Sequence, residues 1–232
     1  MTIGLVFLTV LMGVIVWWLL RQTINVQPWQ AQAALPAAVG AAAPRPAIKA
    51  ALWVFLGVAT SLFVLFVSAY AMRLGFEDWT PLPRPRLLVL NTALLAAASL
   101  AMEWTVHAGR RSDREGVARG LVASGVLTAG FLMGQLVVWG QLHSAGYFMA
   151  TSAATAFFYL FTAAHGLHVL GGLVAWARAV LRVRRGPDPA GIRLAVELCA
   201  TYWHYLLAVW VVLYALLVSD GIGLAICSST PL

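Results

Sequence analysis

Residues 157–169, FFYLFTAAHGLHV, place two histidines, His165 and His168, inside an apolar run from about Thr151 to Leu181. A run of this length is long enough for a helix that crosses about 30 Å of hydrocarbon. The histidines lie three positions apart and therefore share one face of such a helix. An ionisable side chain at bilayer depth costs roughly 2.5 to 3.5 kcal/mol on insertion scales, so we expect each ring to have a partner.

The composition indicates an integral membrane protein. Hydrophobic residues make up 62% of the 232 positions and charged residues only 10%, a balance that a soluble domain of this size could not keep without aggregating. The formal net charge of +7 comes from Lys and Arg gathered in short connections between apolar runs, which is typical of membrane topology and not of nucleic-acid binding. We therefore expect no nucleic-acid partner. The two cysteines, Cys199 and Cys227, form no haem-attachment motif and no close pair for zinc or copper.

Six apolar segments are long enough to span a bilayer. They run over about 3–20, 49–72, 87–107, 117–142, 151–181 and 194–218. The sequence predicts an all-α fold, a polytopic membrane helix bundle with six transmembrane helices. The predicted parts are an N-terminal transmembrane helix (1–21), an Ala/Pro-rich cytoplasmic linker (22–48), a five-helix bundle (49–219) and a short outside tail (220–232).

The distribution of basic residues orients these spans. Twelve of the fifteen Lys and Arg residues lie on the side reached after spans one, three and five, and only Arg73, Arg84 and Arg86 lie on the other. Since Lys and Arg accumulate on the cytoplasmic side, both termini are predicted to lie outside. A cleaved signal peptide is the alternative interpretation of the first span, because Ala31-Gln32-Ala33 resembles a cleavage site, but no basic residue precedes that span.

Small residues recur along the fourth span. Gly116, Gly120, Ser124 and Thr128 are spaced at four-residue intervals, and Gly130 and Gly134 form a further pair. Small side chains at this spacing allow neighbouring helices to approach closely. The pattern therefore predicts tight helix packing and contains no chemistry of its own.

Charged and ionisable side chains also occur within the third and sixth spans. Glu103 and His107 lie four positions apart, where they could bond to each other or face lipid headgroups as an interfacial pair. Glu197 and His204 lie seven positions apart on one helix face, about 10 Å along the axis. Because the fifth and sixth spans should be antiparallel neighbours, we expect Glu197 to pair with Arg178 or Arg182.

Three interpretations compete for His165, His168, Glu197 and His204. Haem ligation needs histidine pairs from facing helices at matched depth, and the spacing here does not supply them. A proton or ion path usually needs several acids within the membrane, and the second and fourth spans contain none. The third interpretation is structural, with the histidines bonding across helices or to lipid headgroups, and it fits the sequence best. Trp203 and Trp210 are expected to fill a helix interface.

Four separate stretches resemble a known family, in the order in which that family has them. They are Trp53-Val54-Phe55-Leu56, Leu90-Asn91-Thr92-Ala93-Leu94-Leu95, the Tyr159–Val169 stretch ending in His165-Gly166-Leu167-His168-Val169, and Glu197 through Trp203-His204 to Val209-Trp210. At these positions the sequence resembles subunit III of the haem-copper terminal oxidases, the cytochrome c and quinol oxidases of respiratory chains. The resemblance covers about residues 49–219.

Two positions depart from the family's pattern. The family usually has a buried glutamate shortly after its Trp-Leu-Phe, where this sequence has Ala59, and an aspartate after its Trp-His-Phe segment, where this sequence has Leu207. Any role of those acids in binding lipid or conducting protons is therefore absent or served by other residues. The resemblance supports a shortened or divergent bacterial member.

The resemblance implies an accessory, non-catalytic subunit that holds no haem or copper, since those cofactors belong to its partners, oxidase subunits I and II. Such a subunit stabilises the catalytic subunit, binds phospholipid and spans the bacterial inner membrane several times. No catalytic or metal-ligating residue is expected in the chain. Six residues are expected to bind lipid or to pack helices: His165, His168, Arg182, Glu197, Trp203 and His204.

Arg182 matches the arginine that the family carries near the cytoplasmic end of its His-Gly-Leu-His-Val helix. A guanidinium suits a phosphate because it can donate two parallel hydrogen bonds, so a lipid phosphate is its implied partner. A charge that only sets membrane topology is the alternative role. For the whole chain, the alternatives are a subunit III-like partner of a nitric oxide reductase and a free-standing membrane haem protein or transporter.

Overall fold

The computed structural model describes residues 45–74, 76, 79, 86–185 and 189–218. These residues form five helices and no strand: α1 (Arg45–Arg73), α2 (Leu87–Arg110), α3 (Arg114–Ser144), α4 (Ala153–Arg185) and α5 (Pro189–Val218). Each helix is long and apolar enough to cross a membrane. The prediction of an all-α, multi-pass membrane protein is confirmed. The predicted first span (3–20) and the outside tail (220–232) lie outside the described residues.

Two helices begin a full turn or more before the apolar runs that predict them. α1 begins at Arg45, inside the predicted linker, and Pro46 is its second residue. A proline is tolerated there because the first turn of a helix makes no use of its missing N–H. α5 likewise begins with a proline, Pro189, which lies more than one turn before the apolar run that starts at about residue 194. Polar helix starts therefore extend two of the predicted spans toward the headgroup region.

The connection between α2 and α3 is a tight turn. Ser112 adopts a positive φ of 58°, in the left-handed region that side chains other than glycine rarely enter. Asp113 then caps α3, since its Oδ1 accepts a hydrogen bond of 2.9 Å from the backbone N–H of Gly116. This short turn holds α2 and α3 side by side as antiparallel neighbours.

α2, α3, α4 and α5 form a ring in which each helix packs against the next, and α5 closes the ring against α2. α1 lies outside this ring, where it packs against α4 and α5 but not closely against α2. Large side chains fill the centre of the ring, and the fully buried ones include Phe131, Phe158, Trp203 and Trp210. The space between α1 and α2 is consequently left less filled than the interior of the ring.

The small residues of α3 lie where neighbouring helices come closest. Gly120, Ser124 and Thr128 are buried. A methyl group added to Gly120 would overlap Thr105 of α2, and one added to Gly125 would overlap the indole of Trp176 on α4. The predicted tight packing along this helix is confirmed, and it involves both of its neighbours.

Candidate functional site

Four tryptophans join different helices through their indole N–H groups, and one of them, Trp203, reaches across the ring from α5 to α3. Trp203 donates to Thr128 Oγ1 at 3.0 Å, Trp210 donates to Thr92 Oγ1 at 3.0 Å, Trp139 donates to Thr162 Oγ1 at 3.1 Å, and Trp176 donates to the backbone oxygen of Leu121 at 2.9 Å. In three of these pairs the acceptor is a threonine hydroxyl, which donates its own proton to a carbonyl of its helix. Trp203 is wholly buried, so it lies in a helix interface and not at a ligand-binding surface.

His165 is also wholly buried, but its ring makes no hydrogen bond with any described residue. Within the described part of the chain, neither ring nitrogen has a partner. The ring is instead enclosed by aromatic side chains, with its centroid 5.8 Å from the perpendicular ring of Phe131 and 5.1 Å from Trp210. Among the five described helices, the expected hydrogen bond across helices is therefore not formed at this residue, because aromatic side chains surround its ring.

His168 lies one turn further along α4 and faces a different side. Its Nδ1 is 2.7 Å from the backbone oxygen of Ala164 on the same helix, and its ring makes no bond to another helix among the described residues. Its ring packs 5.1 Å from Phe63 and 6.5 Å from Phe55, both on α1, and its backbone oxygen accepts a bond from Tyr202. His168 thus contributes to the contact between α4 and α1.

A groove runs between α1 on one side and α2 and α5 on the other. It consists of two adjoining spaces of about 510 Å³ and 530 Å³, which share Trp53, Thr201 and His204 as lining residues. The lining of the first space includes five ionisable side chains: Lys49, Glu103, Arg110, Glu197 and His204. The lining of the second is largely apolar and uncharged: Leu56, Gly57, Thr60 and Tyr205. The groove therefore has a charged end and an apolar end.

The charged end lies at the ends of the helices that form it. Lys49 is one turn from the start of α1, and Arg110 is the last residue of α2. Thr60 on α1 lies three turns beyond Lys49, about 16 Å deeper along the helix axis at 1.5 Å per residue. The groove thus extends from the level of the headgroups into the apolar part of the bundle.

Glu197 pairs with two cations at this charged end. Its Oε2 is 3.1 Å from Lys49 Nζ, and its Oε1 is 3.2 Å from Arg193 Nε. The prediction that Glu197 pairs with Arg178 or Arg182 is wrong. Arg193 lies one turn earlier on the same helix and Lys49 lies across the groove, so both reach the carboxylate before a side chain of α4 can.

Arg182 lies apart from the groove. It is exposed on α4 and makes no hydrogen bond or ion pair with any other residue whose position is described. Of the six predicted site residues, the structure therefore brings only Glu197 and His204 together along one groove. His165 and Trp203 lie in the interior of the helix ring, and His168 lies at the contact with α1.

His204 connects α5 to α2 through two polar side chains. Its Nε2 is 3.1 Å from Glu103 Oε2, and its Nδ1 bonds with the hydroxyl of Ser99. Glu103 also lies 3.5 Å from His107 Nδ1, so the i, i+4 pair considered from the sequence does form. The link from Glu103 to His204 was not predicted from the sequence, because it requires α2 and α5 to be neighbours and hydropathy does not give the order of helices around a bundle.

An elongated groove with a charged end and an apolar end suits an amphiphile. Each of its two spaces falls within the range of about 300 to 1,000 Å³ that is usual for small-molecule sites. Charged groups at one end would hold a headgroup, and the apolar end would cover part of an acyl chain. The groove is therefore the candidate functional site of the described residues.

Known proteins match most of this chain. Residues 48–221 match the family model for cytochrome c oxidase subunit III. The chain is 31% identical over 157 residues to a probable cytochrome c oxidase subunit 3 of Nocardia farcinica, covering 66% of this chain and 76% of that protein. It is 32% identical over 159 residues to the corresponding protein of Mycobacterium tuberculosis, covering 67% and 77%. It is 30% identical over 171 residues to the cytochrome c oxidase subunit 3 of Thermostichus vulcanus, covering 72% and 84%. The chain therefore belongs to the cytochrome c oxidase subunit III family.

Proposed function

We propose that the chain is the accessory, non-catalytic subunit III of a respiratory haem-copper oxidase that reduces oxygen and couples this reaction to proton translocation. Family membership over residues 48–221 carries the proposal. The relatives described above are named as subunits of cytochrome c oxidase, so the proposal gives this chain partners equivalent to oxidase subunits I and II. Haem and copper belong to those partners, and this chain contributes packing and lipid binding.

The proposed role in packing is supported by the outer surface of the bundle. α1 exposes large apolar side chains along its length, among them Trp53, Val58, Leu65 and Met72, each more than 60% exposed. Such a surface suits acyl chains or the helices of a catalytic subunit. The proposed arrangement has six transmembrane helices in a bacterial plasma membrane, with both termini outside, and it follows the distribution of Lys and Arg.

The proposed phospholipid site is the groove between α1, α2 and α5. Its charged end lies at the helix ends and its apolar end lies deeper in the bundle, as a lipid oriented with the bilayer requires. Arg182 offers a separate contact for a lipid phosphate on α4, because its guanidinium is exposed.

Two alternatives are less well supported. A partner of a nitric oxide reductase would have a similar fold, but the relatives described above are named for cytochrome c oxidase. A free-standing haem protein would need histidines that converge on one cofactor. His165 and His168 diverge instead, since one ring packs on Phe131 and the other packs on Phe63.

The experiment that tests the role is deletion of this chain, followed by spectroscopy and oxygen consumption of the membranes. We expect the haem spectrum of the oxidase to persist while oxygen consumption decays sooner during turnover, and complementation with the intact chain should restore its duration. Unchanged consumption and an unchanged oxidase content would contradict the proposal. A Soret band in the isolated polypeptide would contradict the assignment of haem to the partners.

A further inference from the structure

We propose that the first turns of α1, residues 47–55, form a gate at the charged end of the groove, and that this gate bends away from the bundle at residues 56–61. The ion pair between Lys49 and Glu197 latches the gate. The inference goes beyond the proposed subunit role and does not depend on what occupies the groove. It follows from the burial along α1, from the side-chain hydrogen bonds in its middle and from the way its first turns are held.

The two parts of α1 are buried to different extents. None of residues 47–55 is buried. From Leu56 onward the helix buries side chains against the bundle, among them Phe63 and Tyr70. Tyr70 also packs edge-on against Phe157 of α4, with ring centroids 5.5 Å apart. Since a segment opens most readily where few buried contacts must be broken, the first turns of α1 can separate from the bundle while the rest stays docked.

A hinge lies between these two parts. The hydroxyl of Thr60 donates to the backbone oxygen of Leu56 at 2.7 Å. The hydroxyl of Ser61 donates to the backbone oxygen of Gly57 at 3.0 Å. Hydroxyls that bond to the carbonyl one turn back weaken a helix and often bend it, and a glycine in the helix interior adds backbone freedom. The hydroxyl of Tyr205 on α5 lies 3.1 Å from that of Thr60, so the pivot itself stays against the bundle.

An exposed ion pair ties the gate to α5. Lys49 Nζ is 3.1 Å from Glu197 Oε2. Among the residues whose side chains are described, this is the only side-chain hydrogen bond or ion pair between residues 47–55 and another helix. The lysine is 53% exposed, so water and salt screen the pair and weaken it. Phe55, at the inner end of the gate, adds a ring contact 6.0 Å from Tyr202.

The latch can open without leaving an isolated charge in the bundle. Glu197 Oε1 is 3.2 Å from Arg193 Nε, so the carboxylate keeps a cation when Lys49 moves away. Lys49 itself lies one turn from the start of α1, where its long side chain can keep the ammonium in water. Movement of the gate then widens the charged end of the groove and gives molecules at the level of the headgroups a lateral entry into it.

Two substitutions should move the gate in opposite directions. Lys49→Gln removes the latch and should raise the open fraction by up to about fivefold, the most that one exposed ion pair supports. Gly57→Ala stiffens the hinge and should lower the open fraction roughly fivefold, because alanine favours the straight helix. A methyl group added at Gly57 meets no atom within 4 Å, so this effect does not come from a clash.

The experiment measures distances by double electron–electron resonance in the whole complex, purified through a tag on this chain. One pair of spin labels, at the exposed positions Ala51 of the gate and Ala118 of α3, reports the gate. A second pair, at the exposed positions Met72 and Gln141, reports the other end of α1. In the first pair we expect a minor population at longer distance, which grows when the latch is removed and shrinks when the hinge is stiffened. The second pair should not change.

Matched variants and salt identify the latch and the hinge. Lys49→Arg keeps the ion pair and should match the intact chain. Arg119→Gln breaks an exposed ion pair of α3, and Gly140→Ala replaces a glycine of α3 that also has open surroundings, so neither should move the gate. High salt should raise the open fraction of the intact chain but not that of Lys49→Gln, in which no latch remains to be screened.

Each part of the inference can fail by itself. A distance distribution of the first pair that is the same in the intact chain, Lys49→Gln and Gly57→Ala would overturn the gate. An equal change in the second pair would show that α1 moves as a whole and would overturn the hinge. A salt response that persists in Lys49→Gln would overturn the latch. None of these measurements uses oxygen consumption or bound lipid, so their failure is distinguishable from failure of the proposed function.

Discussion

Replacement of His165 should separate the packing of its ring from hydrogen bonding by its nitrogens. The side chain is wholly buried, it packs 5.1 Å from the ring of Trp210, and neither nitrogen has a partner among the described residues. His165→Ala removes the ring and leaves a cavity, so we expect a loss of roughly 2 to 4 kcal/mol in the free energy of unfolding. His165→Phe keeps an aromatic ring and removes two unpaired polar atoms, so we expect a change within about 1 kcal/mol of zero.

The assay is thermal or detergent-induced unfolding of the purified complex, with the intact chain and both variants measured side by side. Thr162→Val serves as a control on the same helix, because Thr162 Oγ1 accepts a hydrogen bond of 3.1 Å from Trp139. Loss of such an intramembrane bond should cost about 0.6 to 1.7 kcal/mol, so this control shows whether the assay detects a bond of that strength. If His165→Phe were as destabilising as His165→Ala, the account of His165 as a packing residue would be refuted.

Three further perturbations test other parts of the structure by the same unfolding assay. A double-mutant cycle of Thr128→Val and Trp203→Phe should give a coupling energy of about 0.6 to 1.7 kcal/mol, because the two side chains share a hydrogen bond of 3.0 Å. Strictly additive effects of the two substitutions would contradict that bond. Gly120→Val should destabilise the bundle by roughly 1 to 3 kcal/mol, because the added side chain overlaps α2. Gly140→Val, at a position with open space around it, should show no such loss. Equal effects of the two substitutions would count against close packing at α3. Glu197→Gln should lower the free energy of unfolding by less than about 1 kcal/mol, and by less still in high salt, because the ion pairs of Glu197 are partly exposed. A large loss that does not depend on salt would show that the carboxylate has a different role.

The fold was largely predictable because membrane spans have a simple physical signature. Long apolar runs predicted all five described helices, and the four-residue spacing that includes Gly120 and Ser124 predicted the close packing of α3 on its neighbours. Helix starts were less accurate, because Pro46 and Pro189 begin helices in polar sequence where hydropathy gives no signal.

The partners of polar side chains were less predictable. The sequence shows that Glu197 and His204 share a helix face, but it does not show which helices stand beside that face. Glu197 consequently pairs with Lys49 of α1 rather than with an arginine of α4, and His204 reaches Glu103 of α2. The order and rotation of helices around the ring decide these contacts, and both depend on how all the side chains pack together.

The groove also escaped prediction, for a related reason. It exists because α1 packs against α4 and α5 while leaving space beside α2. Leu56 and Thr60 line the groove and Phe63 packs on α4, although the three lie at i, i+4 and i+7 on one side of α1, so the apolar pattern does not show which of them borders a space. Spacing within one helix therefore identifies shared faces, and only the assembled bundle shows which of them enclose a space.

The most direct test of the proposed role is purification through a tag on this chain in mild detergent, with an absorption spectrum, identification of the proteins that accompany it, and assays of gas consumption. We predict that a haem-containing catalytic partner purifies with the chain and that the preparation consumes oxygen. A preparation that consumes nitric oxide instead would contradict the oxidase assignment in favour of a reductase. A colourless chain without partners would contradict the accessory-subunit role itself.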